Sequence, residues 1–262
     1  MVIDFIEKNF DDYNRKARLA PALFVSLPIA LIAIAFFPDK VWSWGGLVSV
    51  FVWFGVLRFL AQLAREKGKI KQDELYNEWG GKPTTYFLRH RNARNKVELA
   101  RRHSKLHELT GQPMPSQAEE LADPDLADQT YDTCVQFLLS KTRDHNKFFL
   151  LYEENCNYGF RRNLFGMKPL GITTSSIGVL FLGAQCIFAI GLFNMVSTWQ
   201  IDNLTQIVMN LQFSNCSPLS LACLLVNLFL LIAWLLWIDS DWVKSTGDAY
   251  AVRLLESCEN LP

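Results

Sequence analysis

Long apolar stretches alternate with polar ones in this chain, and four of the apolar stretches approach the length of a membrane-spanning helix. Such a helix needs about 20 mostly apolar residues. The stretches form two pairs, one on each side of a long polar region, so the pattern predicts two transmembrane hairpins. The four predicted spans are Pro21–Phe37, Val41–Ala64, Gly171–Trp199 and Ser217–Ile238.

The polar region between the hairpins has apolar residues at helical spacing and no convincing alternation of a strand. We therefore predict an all-α integral membrane protein, with four transmembrane helices as two hairpins and a helical cytosolic domain inserted between them. The second span is expected to continue as a helix to about Trp79. Within the inserted domain the expected helices are Pro83–Leu109 as one long helix, Gln129–Ser140 and Asn146–Cys156.

Five segments follow from this layout. The predicted segments are a cytoplasmic amphipathic segment at 1–19, a first transmembrane hairpin at 20–64, a helical cytosolic sensor domain at 65–169, a second transmembrane hairpin at 170–238 and a cytoplasmic tail at 239–262.

Basic residues are distributed unevenly, and their distribution sets the expected orientation. Of the 26 Lys and Arg residues, 18 fall in residues 65–169, 4 precede the first span and 2 follow the fourth, whereas residues 200–216 contain none. Short basic loops stay in the cytoplasm. We therefore predict a multi-pass membrane protein with both termini and the polar region in the cytoplasm.

The formal net charge of zero hides a strong local separation of charge. Residues 82–105 hold eight basic side chains and one acid, whereas residues 106–140 hold seven acids and no Lys or Arg. On one long helix, most of these basic side chains would share a face. They would repel one another unless an opposite charge neutralised them. The residues assigned to ligand binding on this basis are Lys82, Arg89, Arg91, Arg94, Arg101, Arg102 and Lys105.

Three partners for this basic stripe remain open. An anionic ligand such as a polyphosphate or a nucleic-acid backbone would suit arginines, which bind phosphate with two hydrogen bonds. Alternatively, the acidic stretch 119–132 folds back on the stripe, or Arg94, Glu98 and Arg102 form a solvated ladder of i,i+4 pairs. Anionic lipid headgroups are the third possibility.

Two further groups of residues have candidate roles. Tyr158, Arg161 and Arg162 precede the third span, where they would either anchor the chain at the membrane interface or couple the cytosolic domain to that span. Inside the spans, small and uncharged polar residues favour close helix packing or the lining of a weakly selective pore. These pore or helix-packing candidates are Gly178, Gly183, Gln185, Asn194 and Asn227.

Catalytic signatures are poor in this sequence. No HExxH motif, nucleophile elbow or phosphate-binding loop is present, so we predict no enzyme activity, no catalytic residues, no metal site and no cofactor. The six cysteines contain no CxxC pair. In the predicted orientation only Cys216 reaches the outer face, so no disulfide framework is expected.

Three short runs of sequence resemble a known family. Tyr76–Thr85, Leu88–Arg91 and Glu153–Asn163 are similar to a family of bacterial four-span membrane effectors of anti-phage defence, the membrane subunits of the Hailong system. The resemblance covers about residues 60–170 and the general layout. It implies a channel of the bacterial inner membrane held shut by short DNA oligomers, such as oligodeoxyadenylate, which a nucleotidyltransferase encoded nearby would make.

Together these observations predict an oligomeric membrane effector, with a tetramer favoured. It would be a channel or pore controlled by a nucleotide or a short single-stranded oligonucleotide bound to the cytosolic domain, and its opening would disrupt the membrane in abortive infection. The alternative is a non-channel membrane assembly protein whose basic cytosolic region docks an acidic protein partner or anionic lipid.

Overall fold

A computed structural model describes residues 12–41, 44–190 and 215–262, and within these ranges every regular element is helical. The all-α prediction is therefore confirmed for the described part of the chain. Its α-helices are α1 Asp12–Phe36 with a π-helical turn at Arg15–Leu19, α2 Pro38–Val41, α3 Trp44–Glu78, α4 Pro83–Tyr86, α5 Lys96–Thr110, α6 Gln117–Ala122, α7 Pro124–Lys141, α8 Phe149–Gly166, α9 Lys168–Ala189, α10 Pro218–Leu236 and α11 Ser240–Glu256.

The chain divides into two compact units. The apolar unit comprises Arg18–Glu66 and Gly166–Ile238, and the polar unit comprises Met1–Ala17, Lys67–Phe165 and Asp239–Pro262. Each unit is assembled from segments that are distant in the sequence.

Helices α1, α9 and α10 are each long and apolar enough to cross a membrane. They match the first, third and fourth predicted spans, which supports membrane association. The second predicted span, Val41–Ala64, includes residues 42 and 43, which lie outside the described residues. Helix α3 begins at Trp44, within this predicted span. It continues to Glu78, close to the predicted end at Trp79.

Many large apolar side chains of the apolar unit face outward. Leu180 is 70% exposed and Leu236 is 69% exposed, on α9 and α10 respectively. The three helices meet at a small core that contains Ala35, Leu182 and Cys223. A helix that is apolar on its outward face as well as its packed face is suited to lipid rather than to water.

Small residues let α9 and α10 approach closely. A Cβ atom added at Gly171 would collide with the ring of Trp234, and one added at Gly178 would collide with the side-chain amide of Asn227. Two predicted helix-packing residues, Gly178 and Asn227, therefore lie in direct contact. By contrast, a Cβ atom at Gly183 would meet nothing within 4 Å.

The polar atoms at this interface are only partly satisfied. Asn227 is fully buried, and its Nδ2 donates a hydrogen bond to the carbonyl oxygen of Cys223 at 3.0 Å. Its Oδ1 and the buried Oε1 of Gln185 have no hydrogen-bond partner among the described residues. Asn194, also predicted here, lies outside the described residues.

The polar unit packs around α7 and α11. Its main core includes Leu88, Leu106, Tyr131 and Leu254, and a second cluster surrounds Trp79. Helix α11 contributes buried residues along its length, so the segment predicted as a tail at 239–262 is largely a packed helix.

The prediction of one continuous helix over Pro83–Leu109 is wrong. Helix α4 ends at Tyr86, a short 3₁₀ turn covers His90–Asn92, and α5 starts only at Lys96. Asn95 caps α5, because its side chain accepts hydrogen bonds from the backbone N–H groups of Val97 and Glu98. Such a cap fixes a new helix start and ends the run of helical backbone before it.

Two other helices are longer than predicted. The helix expected at Gln129–Ser140 begins at Pro124, after Asp123 caps it through the N–H of Leu126. The helix expected at Asn146–Cys156 runs instead from Phe149 to Gly166. Helix α5 ends at Thr110, one residue beyond the predicted end at Leu109, and Gly111 closes it with a φ of 68°.

Replacing Gly178 with leucine is expected to lower the free energy of unfolding by about 1–3 kcal/mol, since the added side chain overpacks the contact with Asn227. Gly183→Leu on the same helix is the matched control and should change it by less than about 0.5 kcal/mol. Thermal unfolding of both variants in detergent, followed by tryptophan fluorescence, tests this. Equal destabilisation by the two substitutions would contradict the packing described here.

Candidate ligand-binding site

A two-glycine turn after α3 positions the first of the predicted basic residues. Gly80 and Gly81 have φ values of 79° and 130°, a region that side-chain-bearing residues avoid. The turn exposes the carbonyl oxygen of Gly80 to Arg89, whose Nη1 donates to it at 2.5 Å. A Cβ atom at Gly81 would lie 2.6 Å from Arg89 Nη2, so glycine is needed for space as well as for backbone conformation.

Arg89 is then held by an acidic residue of α7. Its Nε and Nη2 donate to the two carboxylate oxygens of Asp128 at 2.8 and 2.6 Å, and the Arg89 side chain is only 8% exposed. Two neighbouring basic residues are also paired. Arg91 lies 3.6 Å from Glu120 and 3.7 Å from Asp128, and Lys82 donates to Asp132 at 2.9 Å.

These contacts bear on the three partners considered for the basic stripe. For Lys82, Arg89 and Arg91, the acidic stretch of the same chain folds back and supplies the opposite charge, as the second of the three possibilities predicted. The residues are also not on one helical face, because the chain is not helical between α4 and α5 apart from the 3₁₀ turn.

Glu120 is the buried centre of this pairing. Its side chain is 1% exposed and accepts hydrogen bonds from the backbone N–H groups of His90 (2.7 Å) and Arg91 (3.2 Å) and from the hydroxyl of Tyr131 (2.8 Å). Burial alone would raise the pKa of Glu120, but these hydrogen bonds outweigh it and lower the pKa below its ordinary value. Glu120 therefore stays ionised and fixes the loop that carries Arg91.

His103 packs beside this centre. Its Nε2 shares a hydrogen bond of 2.8 Å with the carbonyl oxygen of Leu88, and its ring lies edge-on to His90 at 5.0 Å. Burial lowers the pKa of His103, which favours the neutral ring. Among the residues that the structure describes, no group of three His, Cys, Asp or Glu side chains could hold a metal ion.

The three basic residues assigned on α5 are also paired. Arg102 bonds to Glu98 one turn earlier, Lys105 donates to Glu108 at 3.2 Å, and the exposed Arg101 lies 3.2 Å from Glu259. The first two are local helical pairs, like the ladder considered from the sequence. Local helical pairs of this kind contribute little to stability.

Arg94 differs from the other assigned residues because no carboxylate of the described chain lies within ion-pairing distance of it. It lines a cavity of about 370 Å³ between α5 and α11. Lys244 of α11 lines the same cavity and likewise forms no ion pair with a described residue. Tyr86, Phe87, Asn92 and Asn95 supply aromatic and amide groups to its wall.

The charge inside the cavity depends on three acids. Glu98 is bonded to Arg102, and Glu256 receives a hydrogen bond from Arg253 at 2.8 Å, so both carboxylates already have cationic partners. Burial raises the pKa of Asp248, an effect that the charges of Lys244 and Arg94 offset only in part. The cavity therefore combines two cations that form no ion pair with a described residue, Arg94 and Lys244, with one carboxyl group whose pKa is raised.

The second predicted cluster packs within the polar unit. The guanidinium of Arg161 stacks 4.6 Å from the ring of Trp242 and donates to its carbonyl oxygen at 2.7 Å. Arg162 donates to Gln72 at 2.5 Å, and Tyr158 stacks almost parallel to Tyr250. These side chains tie α8 to α3 and α11.

A smaller cavity of about 200 Å³ is lined by one predicted ligand-binding residue and one predicted coupling residue. Lys82 and Tyr158 both line it, together with Gln72, Asp132 and Tyr250. Since Lys82 is already paired with Asp132, this cavity presents less free positive charge than the one at Arg94.

Lys244 and Asp248 were missed by the sequence analysis, which treated residues 239–262 as a tail. The missed signal is the helical spacing of the small and apolar residues Val243, Gly247 and Ala251, all of them buried on one face of α11. Lys244 and Asp248 follow on the neighbouring face with the same four-residue spacing.

Comparison of the chain with models of protein families, with curated proteins and with solved structures gives no match.

Substitution of Arg89 by alanine is expected to lower the free energy of unfolding by about 3 kcal/mol, because the buried arginine and its two hydrogen bonds to the carboxylate of Asp128 are lost. Lys82→Ala, which breaks the exposed pair with Asp132, should cost less than about 1 kcal/mol. Chemical denaturation of the purified protein measures both values. An Arg89→Ala variant as stable as Lys82→Ala would show that the pairing does not hold the loop.

Proposed function

We propose that this protein is a homo-oligomeric channel or pore of the bacterial inner membrane, controlled by a nucleotide or a short single-stranded oligonucleotide that binds its polar unit. Opening of the channel would disrupt the membrane in anti-phage defence. The observation that carries the ligand-binding part is the cavity lined by the two unpaired cations Arg94 and Lys244.

The cavity suits a nucleotide in size and in chemistry. Its volume of about 370 Å³ falls in the range of small-molecule pockets, about 300–1,000 Å³. Arg94 and Lys244 would bind phosphate oxygens, and charge-assisted hydrogen bonds of this kind are among the strongest in proteins. Tyr86 and Phe87 offer aromatic faces for a base.

The membrane part of the proposal draws on the apolar unit. Three of its helices are long and apolar enough to span a bilayer, and the distribution of basic residues favours cytoplasmic termini and a cytoplasmic polar unit. Gln185 and Asn227 each bring into these helices one buried side-chain oxygen that has no hydrogen-bond partner among the described residues. In an oligomer such atoms would either bond across subunits or line a weakly selective pore.

Control by the ligand would be a shift between closed and open states. A ligand that binds one state more tightly shifts the equilibrium toward it. The resemblance to the Hailong membrane subunits implies that the ligand holds the channel shut and that a neighbouring nucleotidyltransferase makes it. Tyr158, Arg161 and Arg162 remain the predicted coupling residues.

The competing proposal is a membrane assembly protein that docks an acidic protein or anionic lipid through its basic residues. The internal pairing of Lys82, Arg89 and Arg91 argues against it, since these cations already form ion pairs with carboxylates of the same chain. A docking surface of this kind also needs exposed charge, whereas Arg89 is buried.

Charge reversal at Arg94 or Lys244 is expected to weaken binding of fluorescein-labelled oligodeoxyadenylate at least tenfold, about the contribution of one hydrogen bond to a charged group. Arg101→Glu is the matched control, because Arg101 is an exposed arginine of α5 that does not line the cavity. Fluorescence anisotropy in detergent, repeated over a range of salt concentrations, measures the affinity and the number of phosphates neutralised.

The outcome that contradicts this site is equal weakening by Arg94→Glu and Arg101→Glu, which would indicate general attraction to a positive surface. Absence of binding of both oligodeoxyadenylate and ATP to the unaltered protein would exclude the proposed ligand class at this cavity.

Orientation is testable with two exposed serines. In a Cys186→Ser and Cys216→Ser background, a membrane-impermeant maleimide added to intact spheroplasts should label Ser217→Cys, beside α10, because this end lies next to a segment without basic residues. Ser104→Cys on α5 should be labelled only after permeabilisation. The reverse pattern would overturn the predicted topology.

A further inference from the structure

Two thiols of the apolar unit lie against each other. The sulfur of Cys216 is 3.1 Å from the sulfur of Cys186, although the two residues are 30 positions apart in the chain. Both side chains are partly exposed, whereas Cys134, Cys156, Cys223 and Cys258 are buried. The sequence analysis predicted that only Cys216 reaches the outer face. In the structure the thiol of Cys186 lies beside it.

The pair occupies one particular end of the α9–α10 hairpin. Cys186 lies in the last turn of α9, and Cys216 lies two residues before α10 begins. Lys168, at the start of α9, donates to the carbonyl oxygen of Ile238 at 2.7 Å, which marks the opposite end of the hairpin. Basic residues flank that opposite end, whereas residues 200–216 contain none.

The charge pattern therefore assigns the thiol pair to the outer face of the membrane. In bacteria that face meets the oxidising periplasm, where disulfides form and persist. This placement rests on the orientation under the proposed function, but the contact between the two sulfurs does not.

We propose that Cys186 and Cys216 are a redox-active pair that forms a reversible intramolecular disulfide across the α9–α10 hairpin. A bonded pair of sulfurs is separated by about 2.05 Å, so the two atoms need to approach by only about 1 Å. The oxidant is a disulfide of a small molecule or of a periplasmic thiol oxidoreductase.

The reaction is two successive thiol–disulfide exchanges. The thiolate of Cys216 attacks one sulfur of the oxidant, forms a mixed disulfide and releases the first thiolate. The thiolate of Cys186 then attacks Cys216 Sγ and releases the second. Two cysteine thiols and one disulfide become one cysteine disulfide and two thiols, so two electrons pass to the oxidant and the two protons are taken up by its leaving thiolates.

The bond would tie the end of one candidate span to the start of the next. Because it joins residues 30 positions apart, it would restrict the separation of these two helix ends. If the spans form a pore, the oxidised and reduced proteins would differ in how far α9 and α10 can separate at their outer ends.

The first experiment uses the purified full-length protein in detergent. After incubation with oxidised glutathione and denaturation in the presence of a polyethylene glycol maleimide, the unaltered protein should carry two fewer labels than the reduced protein. Dithiothreitol should restore both labels. Cys186→Ser and Cys216→Ser should each abolish this intramolecular loss, whereas the control Cys223→Ser should retain it.

Unchanged labelling after oxidation, or loss of two labels that persists in Cys186→Ser, would overturn the proposal. A covalent dimer on non-reducing gels in place of the intramolecular product would also overturn it, since the sulfurs would then pair between chains.

The second experiment traps the redox state in cells by acid quenching before labelling. An oxidised pair supports both the disulfide and the outer placement. If the pair oxidises in the purified protein but is fully reduced in cells that have an oxidising periplasm, the disulfide chemistry stands and the predicted orientation fails.

Discussion

Compensation of charge by Glu120 and Asp128 determines the arrangement of the polar unit. The segment after the glycine turn brings two arginines against α7, and a cation in a buried position is tolerated only with a bonded counter-charge. Asp128 supplies it to Arg89 through two hydrogen bonds, and Glu120 binds the backbone N–H groups of His90 and Arg91. These contacts satisfy backbone donors that a continuous helix would have bonded internally, so the helix break and the ion pairs stabilise each other.

The same break in the helix explains why Arg94 forms no ion pair with a described carboxylate. On an uninterrupted helix Arg94 would continue the row that includes Arg101 and Lys105. With α5 starting only at Lys96, Arg94 stands before the helix and lines the cavity with Lys244 instead. The polar unit thus has two kinds of cation. Lys82, Arg89 and Arg91 are paired with acidic residues of the stretch 119–132, whereas Arg94 and Lys244 form no ion pair with a described residue.

Helix type and most of the apolar segments could be predicted from the sequence because both depend on local pattern. The segment Ser217–Ile238 is predominantly apolar, and the helix Pro218–Leu236 lies within it. The break before α5 could not be predicted in this way, because it depends on Glu120, a residue nearly 30 positions away. For the candidate site, Arg94 was identified from charge alone, but Lys244 was missed, since one lysine in a terminal segment gives no signal until the packing of α11 is known.

The cavity also combines two opposing electrostatic effects. Arg94 and Lys244 favour the ionised form of Asp248, whereas burial favours its neutral form, and burial is the larger effect. An anion that entered the cavity would add a second negative charge beside this carboxyl group and would displace it further toward protonation. Ligand binding and proton uptake at Asp248 are therefore expected to favour each other, because protonation of Asp248 removes the repulsion between its carboxylate and the bound anion.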